Sequence, residues 1–482
     1  MLRTVCFHNP TRYSHIGSLL TQRCFLCLYG SVPQDCLRLG IDNPAWTLRS
    51  VSNPLVPALR PGFQSNQDGK EGYMRKKEKK EQHIILFDES PDGIKERQEY
   101  EKKLRRHKVK TRILWIAVFL AVCGMGIGYF IYDVGRTFHS YAVQWEISLE
   151  NSDTEFRSWV DGTLQYSQNG VSCVNGKGEV VWSSAYHMSQ PIAVIRGDYA
   201  MILDQKGTTL VICNRQLGVT GSGTTPYAIT KGELSGQGVA AVICENEEAS
   251  HIYYYKSTGV RLDIEIKSPL ERTGYPLDIA LSEDGKMLMV SYLFVDSGVM
   301  QNKVVFYNFD GDADEYLAGS FEYGATDTMI PEVMFIGNRQ AVAIGDNVLT
   351  FYQINISGQQ RIPEKKEEYS LERKILSVFE AEDSVGLVLA SDSDHMHNTA
   401  LVYDGSGTQK LNIEIEQDYD EIFYNSRFLV LYDFYSCMMY DKNGTVKFQK
   451  SFVNGISKMQ EGPGSKQFVI KTAGVLQQIQ LR

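Results

Sequence analysis

The chain is poor in the residues from which catalytic and metal centres are usually built. It has 9 cysteines and 9 histidines in 482 residues, and only Cys173, Cys213, Cys244 and Cys437 fall after Tyr132. These four are widely spaced and lie mostly in apolar runs such as Leu210-Val211-Ile212-Cys213, so they are expected as buried free thiols. Cys24 and Cys27 form a C-x-x-C, but no second pair exists to complete a zinc site. There is no G-x-S-x-G, no H-E-x-x-H and no phosphate-binding P-loop, and the short Gly221-Ser-Gly223 reads as a turn. These absences count against hydrolase, zinc-peptidase and nucleotidase chemistry. The expectation is therefore a protein that is not an enzyme and has no cofactor.

Charge of one sign is missing locally. Residues 1–73 hold 7 basic and 4 acidic side chains, residues 74–112 hold 14 and 8, and the chain after Tyr132 holds 28 and 46. A basic tail and a strongly acidic body thus flank Ile113 to Tyr132, which carry no charge at all. An acidic body repels phosphate backbones, which excludes nucleic acid as a partner.

Ile113–Tyr132 is about 20 residues long, the length a helix needs to cross a hydrocarbon core of about 30 Å. Trp115 near one end and Tyr129 and Tyr132 at the other occupy positions of interfacial aromatics. Gly124, Gly126 and Gly128 form a small-residue face. Lys102, Lys103, Arg105, Arg106, Lys108, Lys110 and Arg112 crowd the N-terminal flank, whereas Asp133 and Arg136 nearly cancel on the other. The positive-inside rule then puts the N-terminus in the cytoplasm and residues 133–482 outside a cell membrane crossed once. No A-x-A-like cleavage site follows the apolar run, so it reads as an uncleaved signal anchor.

Residues 1–73 hold 6 of the 14 prolines, 4 of the 9 cysteines and one lysine, with no sustained period. Met74 then opens Met-Arg-Lys-Lys-Glu-Lys-Lys. Gly69-Lys70-Glu71-Gly72-Tyr73 can be encoded by a purine-rich ribosome-binding sequence of bacteria, so Met74 is expected as the true start and 1–73 as the non-native translation of an untranslated leader, with a real but disordered extension as the alternative. Within the cytoplasmic tail 74–112, Ile84-Ile-Leu-Phe87 is a candidate docking strand. Ser90-Pro91-Asp92 is a helix start, with Ser as the cap and Pro in the first turn.

From Phe156 onward short apolar runs alternate with Gly, Asn and Asp turns, and no long helical period competes. An apolar strand, a polar turn with Gly and a second strand recur, as in Val171-Ser-Cys-Val-Asn-Gly-Lys-Gly178, Ile252-Tyr-Tyr-Tyr-Lys-Ser-Thr-Gly259 and Leu401-Val-Tyr-Asp-Gly-Ser-Gly407. The apolar runs end at Val174, Cys213, Tyr255, Tyr307, Tyr352, Tyr403 and Tyr440, at intervals of 39, 42, 52, 45, 51 and 37. A period of about 40–50 residues with four strands per unit is a β-propeller. The last unit supplies three strands up to Val475–Leu481 and lacks a fourth, while Tyr141–Leu149 is an orphan strand before the first unit. The orphan is expected to complete the last blade and close the ring. The fold class is therefore all-β, a propeller of eight blades preceded by one transmembrane helix. Seven blades is the alternative, because the unit Phe156 to Tyr186 is short and poorly patterned.

Val174-Asn-Gly-Lys-Gly-Glu-Val-Val-Trp182 is similar to the turn-plus-tryptophan of quinoprotein-type (PQQ-like) repeats, and the tyrosine-before-turn units are similar to WD40-like repeats. Basic tail, anchor and propeller together resemble a family of membrane-anchored propeller proteins of unknown function from Gram-positive, clostridial-type bacteria. The resemblance covers Met74 to Arg482 and implies a fold and a location without an activity. Only Trp145, Trp159 and Trp182 follow the membrane segment, so a ring docked throughout by tryptophans, and quinone binding with it, is not expected.

Two weak metal candidates remain. Asp310, Asp312 and Asp314 alternate as calcium-loop carboxylates do, but lack the sixth-position Gly and twelfth-position Glu of an EF-hand. His395 and His397 present two imidazoles on one face of an extended chain. The tyrosine enrichment, as in Tyr253-Tyr254-Tyr255, reflects strand propensity and packing. Two function classes follow: a scaffold whose propeller binds a protein or cell-envelope polymer, and a ligand-sensing or enzymatic propeller with a central-channel site. The missing motifs favour the scaffold.

Overall fold

A computed structural model of the chain describes residues 90–149, 153–270, 273–311, 316–324, 328–381, 383–394, 396–425 and 427–482. The expectations for the start at Met74, the C-x-x-C and Ile84–Phe87 lie outside the described residues.

The helix Pro91–Gly135 begins where its first turn can be satisfied. The amide of Gly93 donates to Ser90 Oγ (3.3 Å) and that of Ile94 to the Ser90 carbonyl (3.1 Å). Pro91 lacks only an N–H that the first turn leaves unpaired in any case. The 45-residue helix contains an 18-residue window of mean hydropathy 2.2 and is long and apolar enough to cross a membrane.

The second unit, from Arg136 on, consists of eight four-stranded antiparallel sheets. Seven are meanders of consecutive strands, here named A to D, and the A strands of most neighbouring sheets contact one another. The blades start at Glu155, Pro191, Ala228, Tyr275, Glu332, Ile375, Glu421 and Lys458. In blade 8 the A to C strands are Lys458–Glu461, Gln467–Thr472 and Val475–Leu481, and strand D is Tyr141–Ser148. Tyr141 pairs with Leu481 and Ser148 with Val475, with a bulge between Val143 and Trp145. The orphan strand thus closes the ring as expected, and the count is eight. Closure covers the outer edge of Val475–Leu481, which would otherwise be left unpaired in a three-stranded blade.

Strands B and C of a blade lie between two neighbouring blades and are buried on both faces, so they read as apolar runs: Leu429–Tyr432 is apolar and buried at every position. Strand D is outermost and alternates, as in Arg261–Pro269. The register between strands C and D slips at Val174, Cys213, Tyr255, Tyr307, Tyr352, Tyr403 and Tyr440, the residues that mark the sequence period. The turn that follows is an Asx turn in several blades. Asn175 Oδ1 accepts from the amides of Lys177 (2.9 Å) and Glu179 (3.0 Å), and Asp441 Oδ1 repeats this with Asn443 (2.9 Å) and Thr445 (3.0 Å). The period is therefore a repeated bulged hairpin.

Adjacent blades are glued by separate apolar clusters. Between blades 7 and 8, for example, Phe138, Phe428, Phe448 and Phe468 are buried with ten other apolar side chains. The four cysteines of the ring sit in such clusters as free thiols, and burial pushes Cys173 up to about 11 and Cys213 and Cys244 up to about 12. Docking across blade junctions reuses one geometry. Trp145 Nε1, on strand D of blade 8, donates to the Gly176 carbonyl in the C–D turn of blade 1 (3.1 Å). Trp182, on strand D of blade 1, does the same to Arg215 in blade 2 (2.8 Å). Thr220 Oγ1 then takes the role toward Ser257 of blade 3 (2.6 Å), and Tyr369 toward Gly407 of blade 6 (2.9 Å). The expectation of a ring not docked by tryptophan throughout holds, with the refinement that two consecutive junctions are tryptophan-docked and other donors serve elsewhere.

Candidate functional site: the seam between the first and last blades

The junction of blades 8 and 1 differs from the others. Among the described residues its apolar cluster buries only Trp145, Phe156, Val469 and Leu476, whereas each of the other seven clusters buries ten or more. The cause is legible in blade 1. Directly opposed residues in neighbouring antiparallel strands share a face, and the row Phe156–Gln165–Ser172–Ser183 crosses all four strands. Phe156 belongs to the blade 8 cluster, so this is the face toward blade 8. The next row on that face is Ser167–Gly170–Ala185, with Thr154 two residues before Phe156. Where other blades put branched apolar and aromatic groups, blade 1 offers hydroxyls and an amide.

The result is a cleft of about 600 Å³ bounded by these rows and by Ser148 and Leu149 at the end of the closing strand. That volume lies within the range of about 300–1,000 Å³ typical of small-ligand sites. Among the described residues no Asp, Glu, Lys, Arg, His or Cys lines it. Gln165 Nε2 is shielded from solvent with no hydrogen-bond partner in the structure. The arrangement can donate and accept neutral hydrogen bonds.

Charge gathers at the start of strand A instead. Glu155 accepts from Lys471 (3.1 Å) and is paired with Lys458 (3.4 Å), whose Nζ lies 5.5 Å from the Phe156 ring centre. Burial pushes the Lys458 ammonium down to about 8, helped by the like charge of Arg157 and opposed by Glu155. Burial alone would raise Glu155, but Lys458 and Lys471 hold its carboxyl below the usual range. Further round the ring Lys231 is paired with the buried Asp278, whose Oδ2 accepts from the Val333 amide of blade 5 (2.8 Å). Arg196 of blade 2 donates to Glu283 Oε2 of blade 4 (2.7 Å) and to the Phe335 carbonyl of blade 5 (3.3 Å), tying three blades together.

Asp310 sits in the C–D turn of blade 4, where its carboxylate faces Lys286 (2.7 Å) and Arg361 (3.1 Å). Arg361 also holds Asp284 (2.7 Å), and Asn308 Nδ2 donates to the Gln359 carbonyl (2.9 Å), so the group pins the long C–D hairpin of blade 5 to blade 4. Two cations hold Asp310 below the ordinary carboxylate range, Lys286 foremost. His397 lies in the B–C loop of blade 6, its Nε2 3.8 Å from Glu416 and its carbonyl accepting from Arg373 (3.3 Å). Asp312, Asp314 and His395 lie outside the described residues. Among the described residues no three His, Cys, Asp or Glu side chains converge as a metal site. Sequence reasoning passed over Gln165, Ser172 and Ser183. Their signal was the poor patterning of the first unit, polar residues at positions where the period demands apolar ones.

A model described as "Family of unknown function (DUF5711)" matches residues 134–481. No curated protein matches in sequence. Among solved structures, BamB from Moraxella catarrhalis is similar at 12% identity and TM-score 0.46, over 71% of this chain and all of its own. Hsv2 from Kluyveromyces lactis is similar at 11% identity and TM-score 0.39, over 65% of this chain and 98% of its own. Similarity at this level carries nothing about partners.

Proposed function

We propose that this chain, which belongs to the DUF5711 family of unknown function, is a non-enzymatic binding scaffold: a β-propeller anchored by Ile113–Tyr132 that engages a protein or cell-envelope polymer outside the membrane. The observation that carries this reading is the seam cleft, a site of small-ligand size that offers hydrogen bonds and, among the described residues, has no Asp, Glu, Lys, Arg, His or Cys in its lining. The apolar length of the helix supports the anchor, and the basic residues Lys102–Arg112 before it support a cytoplasmic N-terminus. The acidic body supports a partner that is not nucleic acid.

A ligand-sensing or enzymatic propeller is the second reading, and Lys458 favours it: a buried amine brought near neutral pKa is a group that responds to ligand or acts as a base. Capture of a specific envelope component by the full chain in lipid nanodiscs, with no turnover across hydrolase and redox substrates, is expected. Turnover lost on Lys458→Met would reverse the preference. Protease added outside intact cells is expected to remove the propeller and spare the tail; a protected propeller refutes the orientation.

A further inference from the structure

We propose that Phe434, Tyr435 and Val453, exposed together at the junction of blades 7 and 8, rest in the lipid interface and give the ring a second hold on the bilayer, an inference that rests on the anchor reading above.

The B–C connection of blade 7 is Asp433-Phe434-Tyr435, whereas none of the other seven B–C connections contains Phe, Tyr or Trp. Tight turns favour Gly, Pro, Asn, Asp and Ser, and only Asp433 answers to that here. Its Oδ1 accepts from the amides of Tyr435 (2.6 Å) and Ser436 (2.7 Å) and fixes the turn. The two rings meet edge to face at 4.9 Å, with Phe434 48% and Tyr435 65% exposed. The connection from blade 7 to blade 8 lies against them. The amide of Phe452 donates to the Tyr435 carbonyl (2.7 Å) and that of Ile456 to the Phe434 carbonyl (2.6 Å). Gly455 sits under the Phe434 ring, where a Cβ would overlap it, and Val453 stands out 98% exposed. Apolar side chains grouped at loop tips in this way mark a contact surface.

The covalent chain decides what that surface meets. Only Arg136 and Thr137 separate Gly135, where the helix ends, from Phe138, whose amide donates to the Lys447 carbonyl of blade 7 (2.7 Å). Three residue steps reach at most about 11 Å, at any angle between helix and ring. Phe138 is buried with Phe452 and Ile456 in the cluster between blades 7 and 8, and Tyr141 stacks on Phe452 (5.5 Å, 13°). The segment that leaves the helix is therefore packed under the same loops that carry the aromatic pair. A tether this short keeps the bilayer at a high effective concentration beside this junction, whereas a protein partner must arrive from solution. Phe, Tyr and Val also suit the interface, which takes amphipathic rings and short apolar wedges.

The contact is apolar in kind. Glu416, Asp418 and Asp420 are exposed in the connection from blade 6, which is tied to the aromatic turn by Gln417 Nε2 donating to Ser436 Oγ (2.9 Å). Carboxylates there gain nothing from anionic headgroups, so a zwitterionic bilayer suffices.

The test places the full chain in phosphatidylcholine nanodiscs whose acyl chains are brominated near the headgroup, so that lipid contact quenches tryptophan. Trp115 on the helix reports on the anchor, while Trp145 and Trp159 are buried in the ring. Tyr435→Trp and Val453→Trp each add emission that is expected to shift to the blue and to be lost in brominated discs. Val295→Trp is the control: Val295 is 68% exposed beside the B–C turn of blade 4, across the ring and without a tether, and its added emission is expected to persist. Quenching of Trp115 without quenching of the emission added by Tyr435→Trp or Val453→Trp overturns the proposal, spares the anchor and leaves the aromatic pair to a protein partner. Equal quenching in Val295→Trp overturns it too, because place in the ring then has no role. If Trp115 itself escapes quenching, the anchor reading fails, so the two failures are distinguishable.

Discussion

Replacing Trp145 with alanine tests how the ring is held shut. The indole is one of only four buried apolar groups at the blade 8 to blade 1 junction, and it donates to Gly176 (3.1 Å) and to Gln478 Oε1 (2.9 Å). Truncating a buried tryptophan costs about 3–5 kcal/mol. Gln478 is itself buried, and an acceptor left without its donor adds about 1 kcal/mol or more. Trp145→Phe keeps most of the apolar area and forfeits the N–H, for a cost of about 1–3 kcal/mol. The order of stability should therefore be wild type, Trp145→Phe, Trp145→Ala. Trp182→Ala, which removes the same docking bond at the next junction, should cost less than Trp145→Ala, because Trp182 is only half-buried and twelve buried apolar residues remain there. Urea unfolding of the full chain in nanodiscs reads the order. Hydrogen exchange of Tyr141–Ser148 and Val475–Leu481 locates it, since a weakened seam opens these two strands before the rest of the ring. If Trp145→Ala leaves both the midpoint and the exchange of the closing strand as in wild type, the indole does not hold the seam and the closure argument is refuted.

Gly178→Ala attacks the same contact from the other side. Gly178 has φ +83°, and a Cβ there would meet Trp145 at 3.0 Å, so a loss of about 1–3 kcal/mol is expected in the same unfolding assay. Lys458 should give the fold a particular pH dependence. Its folded pKa of about 8 lies below the ordinary 10.5, so the unfolded chain binds the proton more tightly. The penalty is present in full below about pH 8 and is relieved as pH rises toward 10.5. Stability should therefore increase from pH 7.5 to 9.5 by an amount on the order of 2 kcal/mol, and Lys458→Met should flatten that rise; an undiminished rise in the variant assigns it elsewhere. Arg361→Leu strips Asp284 and Asp310 of their shared cation and should destabilise by about 2–3 kcal/mol, whereas Asp310→Asn leaves Arg361 on Asp284 and should cost under about 1 kcal/mol. Calcium is expected to leave the thermal midpoint of the wild type unmoved, because Asp310 already faces Lys286 and Arg361, and a calcium-dependent rise abolished by Asp310→Asn would assign it a metal role.

The sequence by itself determined the repeat, the closing strand and the capped helix, because each is written in neighbouring residues. A bulged hairpin needs an apolar strand followed by a polar turn with glycine, so Val174, Cys213 and the tyrosines at the same place mark every C–D junction from blade 1 to blade 7. An unmatched strand at one end and an unmatched blade at the other leave one way to close a ring. What a strand face meets is another matter. Trp145 and Gln478 are 333 positions apart, and Arg196 meets Glu283 and Phe335 in blades that do not adjoin its own. Those contacts depend on how blades stack, and the period is blind to it. The tertiary structure alone decided that Asp310 spends its charge on Arg361 and Lys286. It also decided that Gln165, Ser172 and Ser183, which look like mere lapses in an apolar pattern, line up on one face of blade 1 and leave a cleft where other junctions are filled.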